Sequence, residues 1–421
     1  MDRALAAAGV KQRSFDQIII FGYHDASIAF ARGHGWRHQK HVQLLIAGTI
    51  ERGVEVVLAV PYPRPFEAKS ALMDYSFPDF MRSQGVRVDE FHITHGRIAP
   101  VSDLRAFFQL LRYFKRNRFD VVHTHSAKAG VLGRMAAHFA GVPVIVHTPY
   151  SLPFRQELNQ GASYWLYYLI EKILGRWTDV MIATSKAEYR EISDSGIIAL
   201  DRVPLIHNCV DLGSYTYQYD SRAKSKSDLG WPADQPVVGT VARISPQKGI
   251  QTLLESAPLV REQIPNVRFV IVGEGELRAE IEERMLALGL NGTWTMVGQR
   301  DDYLRFLRAF DVFAFPSLWE GLPYAPIEAM AVGTPVVATA VAGTTDLVSH
   351  EETGLLVPAR DEKSLAEAIV RVLTNDDLAR QLADRGRSFV AASFNEEKPV
   401  EQTLEAYRQA LEAKQLRGKA K

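Results

Sequence analysis

Two glutamates frame a short loop in the second half of the chain. Glu320 and Glu328 lie on either side of a Gly-Leu-Pro turn that leads into a helical pattern, and apolar runs precede and follow the segment 316–335. The first N–H groups of a helix are unbonded and carry partial positive charge, so such a turn binds phosphate. Carboxylates beside it accept hydrogen bonds from sugar hydroxyls. The segment therefore predicts a nucleotide-sugar site.

Two cations occupy another loop at the end of a predicted strand. Arg243 and Lys248 are five residues apart, and Gly249 allows the backbone to turn into the following helix. Both side chains can reach one anion, which favours diphosphate binding. Two solvated loop cations explain the pair equally well when it is taken alone.

Two further predicted strand ends carry glycine. Val272-Gly-Glu-Gly275 has Arg278 where a dinucleotide fingerprint requires a third glycine, so an NAD-dependent dehydrogenase is not favoured. The other turn contains Gln299 and Arg300, which we interpret as contacts to a nucleotide base. A purely structural turn is the alternative for these two residues.

A pair of histidines ends a strand pattern in the first half. His123 and His125 alternate with Thr124 and so share one face of the strand. We find no further ligands near them that would make a metal site, and the sequence has no Asp-x-Asp motif. We therefore expect neither a metal nor a cofactor. His125, at the carboxyl end, is the better placed of the two for a cleft.

Composition limits the class of protein. The chain has 421 residues and zero formal net charge, which disfavours binding to nucleic acid. Residues 1–211 hold 25 basic against 20 acidic side chains, and the remainder holds 24 against 29. A single cysteine and no signal-peptide or membrane-spanning pattern predict a cytoplasmic protein. The basic first half favours peripheral attachment to the inner face of the cell membrane.

Strand and helix patterns alternate through both halves, which predicts two doubly wound α/β domains facing a central cleft. We place the first domain at 1–211, a polar linker at 212–230 and the second domain at 231–395. A final amphipathic helix within 396–421 is expected to cross back to the first domain. The last predicted strand of the first half is Arg202–Ile206.

Residues 237–358 resemble the donor domain of family-four retaining glycosyltransferases, which have the GT-B fold. The resemblance covers the loop of Arg243 and Lys248, the Val272–Gly275 turn and the two glutamates seven residues apart. It continues through Glu328-Ala-Met-Ala-x-Gly-x-Pro-Val-Val-Ala338 and Thr353-Gly-Leu-Leu-Val-Pro358.

The resemblance implies a role for each matching residue. Arg243 and Lys248 would hold the donor diphosphate together with the N–H groups of Leu322 and Tyr324. Glu328 would bind the ribose, and Glu320 would face the donor sugar. In the first half, the resemblance places His125 near the transferring sugar and Gly33 and Gly35 near the donor phosphate. A loop that only leads into the next helix is the alternative for the two glycines.

The donor domain departs from the family at two points. Gly321-Leu-Pro-Tyr324 stands where Gly-Phe-Gly-Leu is frequent, and Pro323 removes one N–H from the phosphate site. Asp346 stands where glutamate is common.

These observations predict a retaining glycosyltransferase of polysaccharide biosynthesis. Its donor would be a UDP-sugar, with a GDP-sugar as the second candidate, and its acceptor would be a glycan or a lipid-linked molecule. A sugar-nucleotide 2-epimerase on the same fold and a non-catalytic binding protein are the alternatives.

Overall fold

The protein folds into two parallel six-stranded sheets that follow one another along the chain. None of the helices in the described residues combines the length and the apolar character that crossing a bilayer requires. The computed structural model describes residues 17–21, 36–61, 76–93, 99–150, 152–155, 161–208, 210, 212–216, 221–394 and 397–419.

The first sheet consists of short runs rich in Val and Ile, as expected for strands buried on both faces. Its strands are β1 (Gln17–Phe21), β2 (Glu55–Pro61), β3 (Arg87–Phe91), β4 (Val121–His125), β5 (Val144–Thr148) and β6 (Val180–Met181). They run in the order β3-β2-β1-β4-β5-β6, so the strand order reverses beside β1. Ligands of doubly wound sheets bind at such a reversal, beyond the carboxyl ends of the strands.

Helices cover both faces of this sheet. Neighbouring residues of one strand face opposite sides of the sheet. Ile19, Val122 and Ile145 pack with the third and fourth helices of the domain. Ile18 and Val121 pack with the first and second helices. The helices are α1 (Trp36–Glu51), α2 (Ser76–Ser83), α3 (Pro100–Asn117), α4 (Ala127–Ala140), α5 (Ala162–Trp177) and α6 (Lys186–Ser195).

The second sheet repeats this arrangement. Its strands are β7 (Val237–Val241), β8 (Arg268–Val272), β9 (Trp294–Gly298), β10 (Val312–Phe315), β11 (Val336–Thr339) and β12 (Leu355–Val357). The order β9-β8-β7-β10-β11-β12 matches that of the first sheet, which confirms the predicted pair of doubly wound domains. Its helices are α9 (Ile250–Gln263), α10 (Arg278–Ala287), α11 (Tyr303–Ala309), α12 (Tyr324–Ala331), α13 (Ala342–Thr345), α14 (Glu362–Leu373) and α15 (Asp376–Ser393).

The polar segment between the sheets contains two short helices, α7 (Gly213–Thr216) and α8 (Arg222–Asp228). Tyr215 is buried in a core of the second domain, and the Lys226 ammonium lies 2.7 Å from the Asp311 carboxylate. The segment therefore packs on the second domain, although it lacks a hydrophobic period.

The final helix, α16 (Glu397–Lys419), packs on the first sheet. Val400, Leu404, Tyr407 and Leu411 lie at a helical spacing and join the core formed by β1, β2, β4 and β5. The apolar face of α16 thus covers a sheet that is built from the other end of the chain. The exact domain boundaries stay predictions.

One predicted strand is wrong. Arg202–Ile206 forms no strand; a 3-10 turn occupies Leu200–Arg202, and a single bridge pairs Leu205 with Ala183. Pro204 explains the difference, since it lacks the N–H that a ladder requires and contributes only its carbonyl, to the N–H of Ala183.

Candidate active site

The loop after β10 lies against the loop after β7. The Lys248 ammonium is 2.5 Å from Oε1 of Glu320, and both side chains are largely buried. Gln247 donates a hydrogen bond to the carbonyl of Trp319 at 3.0 Å. Gly249 makes this approach possible: its φ is +59°, and a Cβ there would lie 2.1 Å from the carbonyl oxygen of Pro316.

A glycine of a third loop supports Glu320 from the other side. The N–H of Gly343 donates to the carbonyl of Glu320 at 3.3 Å. A Cβ on Gly343 would lie 1.6 Å from the carbonyl oxygen of Gly321. The course of the Glu320–Gly321 backbone therefore depends on the absence of a side chain at position 343.

Glu328 lies in the second turn of α12 and is only 1% exposed. Its Oε1 accepts hydrogen bonds from the hydroxyls of Tyr303 at 2.8 Å and Tyr215 at 3.4 Å. These tyrosines fix the carboxylate in position. No motif in the sequence points to either tyrosine, because they lie 25 and 113 residues from Glu328 along the chain.

The start of α12 offers few N–H donors. Leu322, just before the helix, and Tyr324, its first residue, are both buried, and Pro323 occupies the N-cap position without a side-chain cap. Pro326 falls in the first turn as well. Since proline has no N–H, the donors that the first turn can offer to an anion are those of Tyr324 and Ala325.

Arg243 has an ion-pair partner that the sequence did not reveal. Its guanidinium donates to Oε2 of Glu276 through Nε at 3.1 Å and Nη2 at 2.9 Å. Gly273 and Gly275 bring the two loops together, since a Cβ at either would lie about 2 Å from a carbonyl oxygen, of Ala242 (1.9 Å) or Ile244 (2.2 Å). The glycine turn after β8 therefore supports the loop of Arg243.

The two residues predicted to contact a base follow β9. Arg300 forms a bidentate ion pair with Asp302, at 2.8 and 3.1 Å, which raises the pKa of the guanidinium. The buried Nε2 of Gln299 makes no hydrogen bond within the described residues. In the structure, Arg300 therefore binds a residue of its own turn, Asp302. The base-binding role of Gln299 and Arg300 stays a prediction.

Buried histidines occupy the carboxyl edge of the first sheet. His125 shares a hydrogen bond with the Tyr150 hydroxyl through Nδ1 at 2.9 Å, and its ring centroid lies 4.1 Å from that of His123, with the two rings tilted by 34°. His123 contacts the hydroxyls of Tyr407 at 2.6 Å and Thr148 at 2.8 Å. Burial is the largest cause that lowers the pKa of His123, His125 and His147 well below the usual value. All three imidazoles are therefore neutral near pH 7.

His125 is fully buried rather than open to a cleft. Its Nε2 has no hydrogen-bond partner in the part of the chain that the structure describes. Gly33 and Gly35, the other residues of the first half with an expected role, lie outside the described residues. Where the structure describes the chain, it brings no three His, Cys, Asp or Glu side chains together as metal ligands.

The described residues include two contacts between the two carboxyl edges. The carbonyl oxygen of Tyr150, a residue with a φ of +60°, lies 3.1 Å from the position of a Cβ on Gly321. Asp346 Oδ2 accepts the N–H groups of Lys186 at 2.5 Å and Ala187 at 3.3 Å, at the N-terminus of α6. Asp346 therefore caps a helix of the opposite domain, where its negative charge is favourable.

Two family models match consecutive parts of the chain. "Glycosyl transferase 4-like domain" covers residues 38–226, and "Glycosyl transferases group 1" covers residues 221–389.

Curated relatives match over most of their length. The UDP-Gal:alpha-D-GlcNAc-diphosphoundecaprenol alpha-1,3-galactosyltransferase of Escherichia coli is 31% identical over 313 residues, 74% of this chain and 80% of that protein. The capsular polysaccharide biosynthesis glycosyltransferase CapM of Staphylococcus aureus is 29% identical over 301 residues, 71% of this chain and 79% of that protein.

Solved structures match the fold across both domains. HepE of Anabaena, in complex with UDP-glucose, has a TM-score of 0.74 at 20% identity and covers 93% of this chain and 100% of its own. Sucrose-phosphate synthase of Thermosynechococcus elongatus has a TM-score of 0.76 at 26% identity and covers 95% of this chain and 100% of its own. The epimerase alternative gains no support from these matches. The chain belongs to the family-four, group 1 glycosyltransferases and is a glycosyltransferase with the GT-B fold.

Proposed function

We propose that the protein transfers a sugar from a UDP-sugar to a hydroxyl of a lipid-linked glycan and retains the anomeric configuration. The observation that carries this proposal is the buried pair of Lys248 and Glu320 at the N-terminus of α12. The pair places a cation that can bind phosphate beside a carboxylate that can accept hydrogen bonds from sugar hydroxyls. The curated relative of E. coli, named for UDP-galactose and a diphosphoundecaprenol acceptor, supports UDP over GDP.

The leaving diphosphate gains negative charge as the glycosidic bond breaks. Lys248, Arg243 and the N–H groups at the start of α12 would stabilise that charge. On donor binding, the diphosphate would replace Glu276 as the partner of Arg243. These fixed cations supply the electrostatic stabilisation that a metal supplies elsewhere, so we propose a metal-independent reaction.

Carboxylates would orient the rest of the donor. Glu320 would accept hydrogen bonds from the donor sugar, and Glu328, held by Tyr303, would accept them from the ribose. Gln299 and Arg300, at the end of β9, would contact the base. His125, a neutral imidazole held by Tyr150, would contact the transferring sugar through Nε2, which donor binding has to uncover because the ring is fully buried.

The acceptor would bind on the first domain. A cavity of about 620 Å³ lies at the carboxyl end of β3 and the start of α3. His92, Ser102 and Arg105 are among its lining residues and offer polar contacts to a glycan head group.

A lipid-linked acceptor calls for contact with a membrane. Arg112, Lys115, Arg116 and Arg118 cluster at the end of α3, and four cations near an anionic surface contribute up to about 4 kcal/mol. We propose that the protein is cytoplasmic and attaches peripherally to the inner leaflet.

A thermal-shift screen with UDP, GDP, ADP and their common sugars tests the donor site. A ligand present at a hundred times its dissociation constant stabilises the folded state by about 2.7 kcal/mol. We expect UDP ligands to stabilise the wild type but not the Arg243→Ala, Lys248→Ala double variant. Arg284→Ala, which breaks an exposed pair with Glu255, is the matched control and should behave as the wild type. Absence of a shift with every nucleotide would overturn the assignment.

Product analysis tests the reaction. We expect a new glycosidic bond of retained configuration by NMR, and only when an acceptor is present. Formation of an epimer from the donor alone would instead identify an epimerase.

A further inference from the structure

Exposed apolar side chains are concentrated on three neighbouring helices of the first domain. Among the described residues, thirteen large hydrophobic side chains are exposed, and eight of them lie on α3, α4 and α5. Contiguous apolar surface of this kind marks an interaction site rather than ordinary scatter. The eight are Val101, Leu104, Phe108, Phe139, Trp165, Leu166, Leu169 and Ile173.

Helix α5 carries the longest part of this surface. Trp165, Leu169 and Ile173 recur every four residues and are 67%, 56% and 40% exposed. They therefore form one stripe, about 12 Å long, on the side of α5 that faces away from the sheet. Leu174, on the inner side, is buried.

The three helices lie side by side on one face of the first sheet. The ring of Phe139 on α4 lies 6.1 Å from that of Phe107 on α3 and 5.6 Å from that of Trp177 on α5. A buried ion pair, Arg134 to Glu171 at 2.8 Å, joins α4 to α5. The exposed side chains of α3, α4 and α5 thus belong to a single surface, the α3–α5 face.

The α3–α5 face is strongly basic. Its helices contain eight Lys and Arg residues but only two acidic residues, Asp103 and Glu171. Both acids are paired between the helices, with Lys128 at 2.8 Å and with Arg134. Six further cations lie on α3 and α5, in a chain whose net charge is zero. They are Arg105, Arg112, Lys115, Arg116, Lys172 and Arg176.

We propose that the α3–α5 face docks on a bilayer that contains anionic lipids. The side chains of Trp165, Leu166 and Leu169 enter the boundary between headgroups and acyl chains, and the cations contact lipid phosphates. This inference names the surface for the membrane contact and rests on the proposed function only for the lipid-linked acceptor.

Charge argues against a second copy of the chain as the occupant. A symmetric dimer through this face would bring two strongly basic surfaces together, and like charges across an interface are costly. Apolar side chains flanked by cations instead match a bilayer, whose interior is apolar and whose surface is anionic. The cavity proposed for the acceptor shares Val101 and Arg105 with this face, so a membrane-borne acceptor would lie close to its pocket.

Co-sedimentation with vesicles tests the proposal. One set of vesicles contains phosphatidylcholine alone, and the other contains phosphatidylcholine mixed with phosphatidylglycerol. The full-length wild type should bind the anionic vesicles and lose binding at high salt. Trp165→Gln with Leu169→Gln should weaken binding about tenfold or more, because both apolar side chains leave the bilayer. The matched control is Leu286→Gln, which changes a residue 58% exposed on α10 of the other domain and should bind as the wild type.

A fluorescent label provides a second measurement. An environment-sensitive dye on Leu166→Cys, in a Cys209→Ser background, should shift to the blue with anionic vesicles, whereas the same dye on Leu286→Cys should not. The proposal is overturned if wild type and the Trp165, Leu169 variant bind equally, if neither binds, or if the variant instead abolishes self-association measured by ultracentrifugation.

The donor assay separates this inference from the proposed function. Nucleotide-induced thermal shifts and transfer to a water-soluble acceptor should be unchanged in the Trp165, Leu169 variant. Vesicle binding without any nucleotide shift in the wild type would remove the proposed donor site and leave the docking surface standing. A nucleotide-induced thermal shift without vesicle binding would remove the docking surface and leave the proposed donor site standing.

Discussion

The carboxyl edges of the two sheets share a strand order and differ in chemistry. The first edge carries buried imidazoles, His123, His125 and His147, whose pKa values burial lowers. The second edge carries charged pairs, Lys248 with Glu320 and Arg243 with Glu276, in glycine-containing loops. The same topology therefore supports a neutral edge and an ionic edge, because the residues at the strand ends, and not the strand order, set the chemistry.

The largest expected effect concerns the ionic edge. Lys248→Ala should lower the rate of sugar transfer about 10²- to 10³-fold, because a preorganised charge no longer faces the leaving diphosphate. Steady-state kinetics with a UDP-sugar and an acceptor measure the effect. Arg284→Ala, which breaks only the exposed pair with Glu255, should retain wild-type rates. Equal losses of rate in both variants would show that the effect does not depend on a cation at the ionic edge.

A second prediction concerns the loops that build the ionic edge. Gly343→Ala places a methyl group on the carbonyl of Gly321, and relieving such overpacking costs about 1–3 kcal/mol. Because the Glu320 loop must move, we expect about a tenfold loss of UDP affinity by calorimetry. Gly292→Ala has a φ of +80° but meets nothing within 4 Å, so it should lower stability by about 1 kcal/mol and leave UDP affinity intact.

A third prediction uses pH to probe the neutral edge. The folded pKa values of the three histidines lie well below 6.5, so the unfolded chain binds more protons below that pH. Stability should therefore fall as the pH drops below about 6.5, by up to about 1.4 kcal/mol per pH unit for each histidine. His147→Asn should reduce this slope by about a third in urea unfolding at several pH values. An unchanged slope would mean that His147 is already protonated when folded.

The smallest expected effect concerns the link from α16 to the neutral edge. Tyr407→Phe removes the hydroxyl that contacts His123 at 2.6 Å and should cost about 1 kcal/mol of stability. Thermal unfolding measures it. The control is Tyr164→Phe, on α5 and away from the histidines. A larger loss in the control than in Tyr407→Phe would contradict the role of this hydrogen bond.

Much of the fold follows from local patterns. Alternating Val-rich runs and helical periods predict the two sheets, because short runs rich in Val and Ile between helical segments favour buried strands. The predicted strand Arg202–Ile206 is wrong because Pro204 interrupts a run whose composition alone favours a strand. The pattern also missed the helices of the 212–230 segment, because they have no apolar face. Their buried side chains, Tyr215 and Lys226, are held by contacts with distant parts of the second domain.

The candidate site is predictable only in part. Glu320, Glu328, Arg243 and Lys248 stand out because glycine turns and strand ends surround them. Glu276 and Tyr303, which bind Arg243 and Glu328, carry no motif, and neither does Tyr150, which binds His125; the fold brings each of them to its partner. The burial of His125 was equally hidden, since a strand end alone does not show which loops cover it.

The packing of α16 also has a consequence for biosynthesis. The strands of the first sheet emerge from the ribosome within the first 181 residues, yet Val400, Leu404, Tyr407 and Leu411 complete one of its two cores. During translation, Ile18, Ile20 and Val121 lack these partners until almost the whole polypeptide has been made. Premature termination anywhere before residue 400 would leave that apolar face of the nascent first domain uncovered, even though all of its own strands are present.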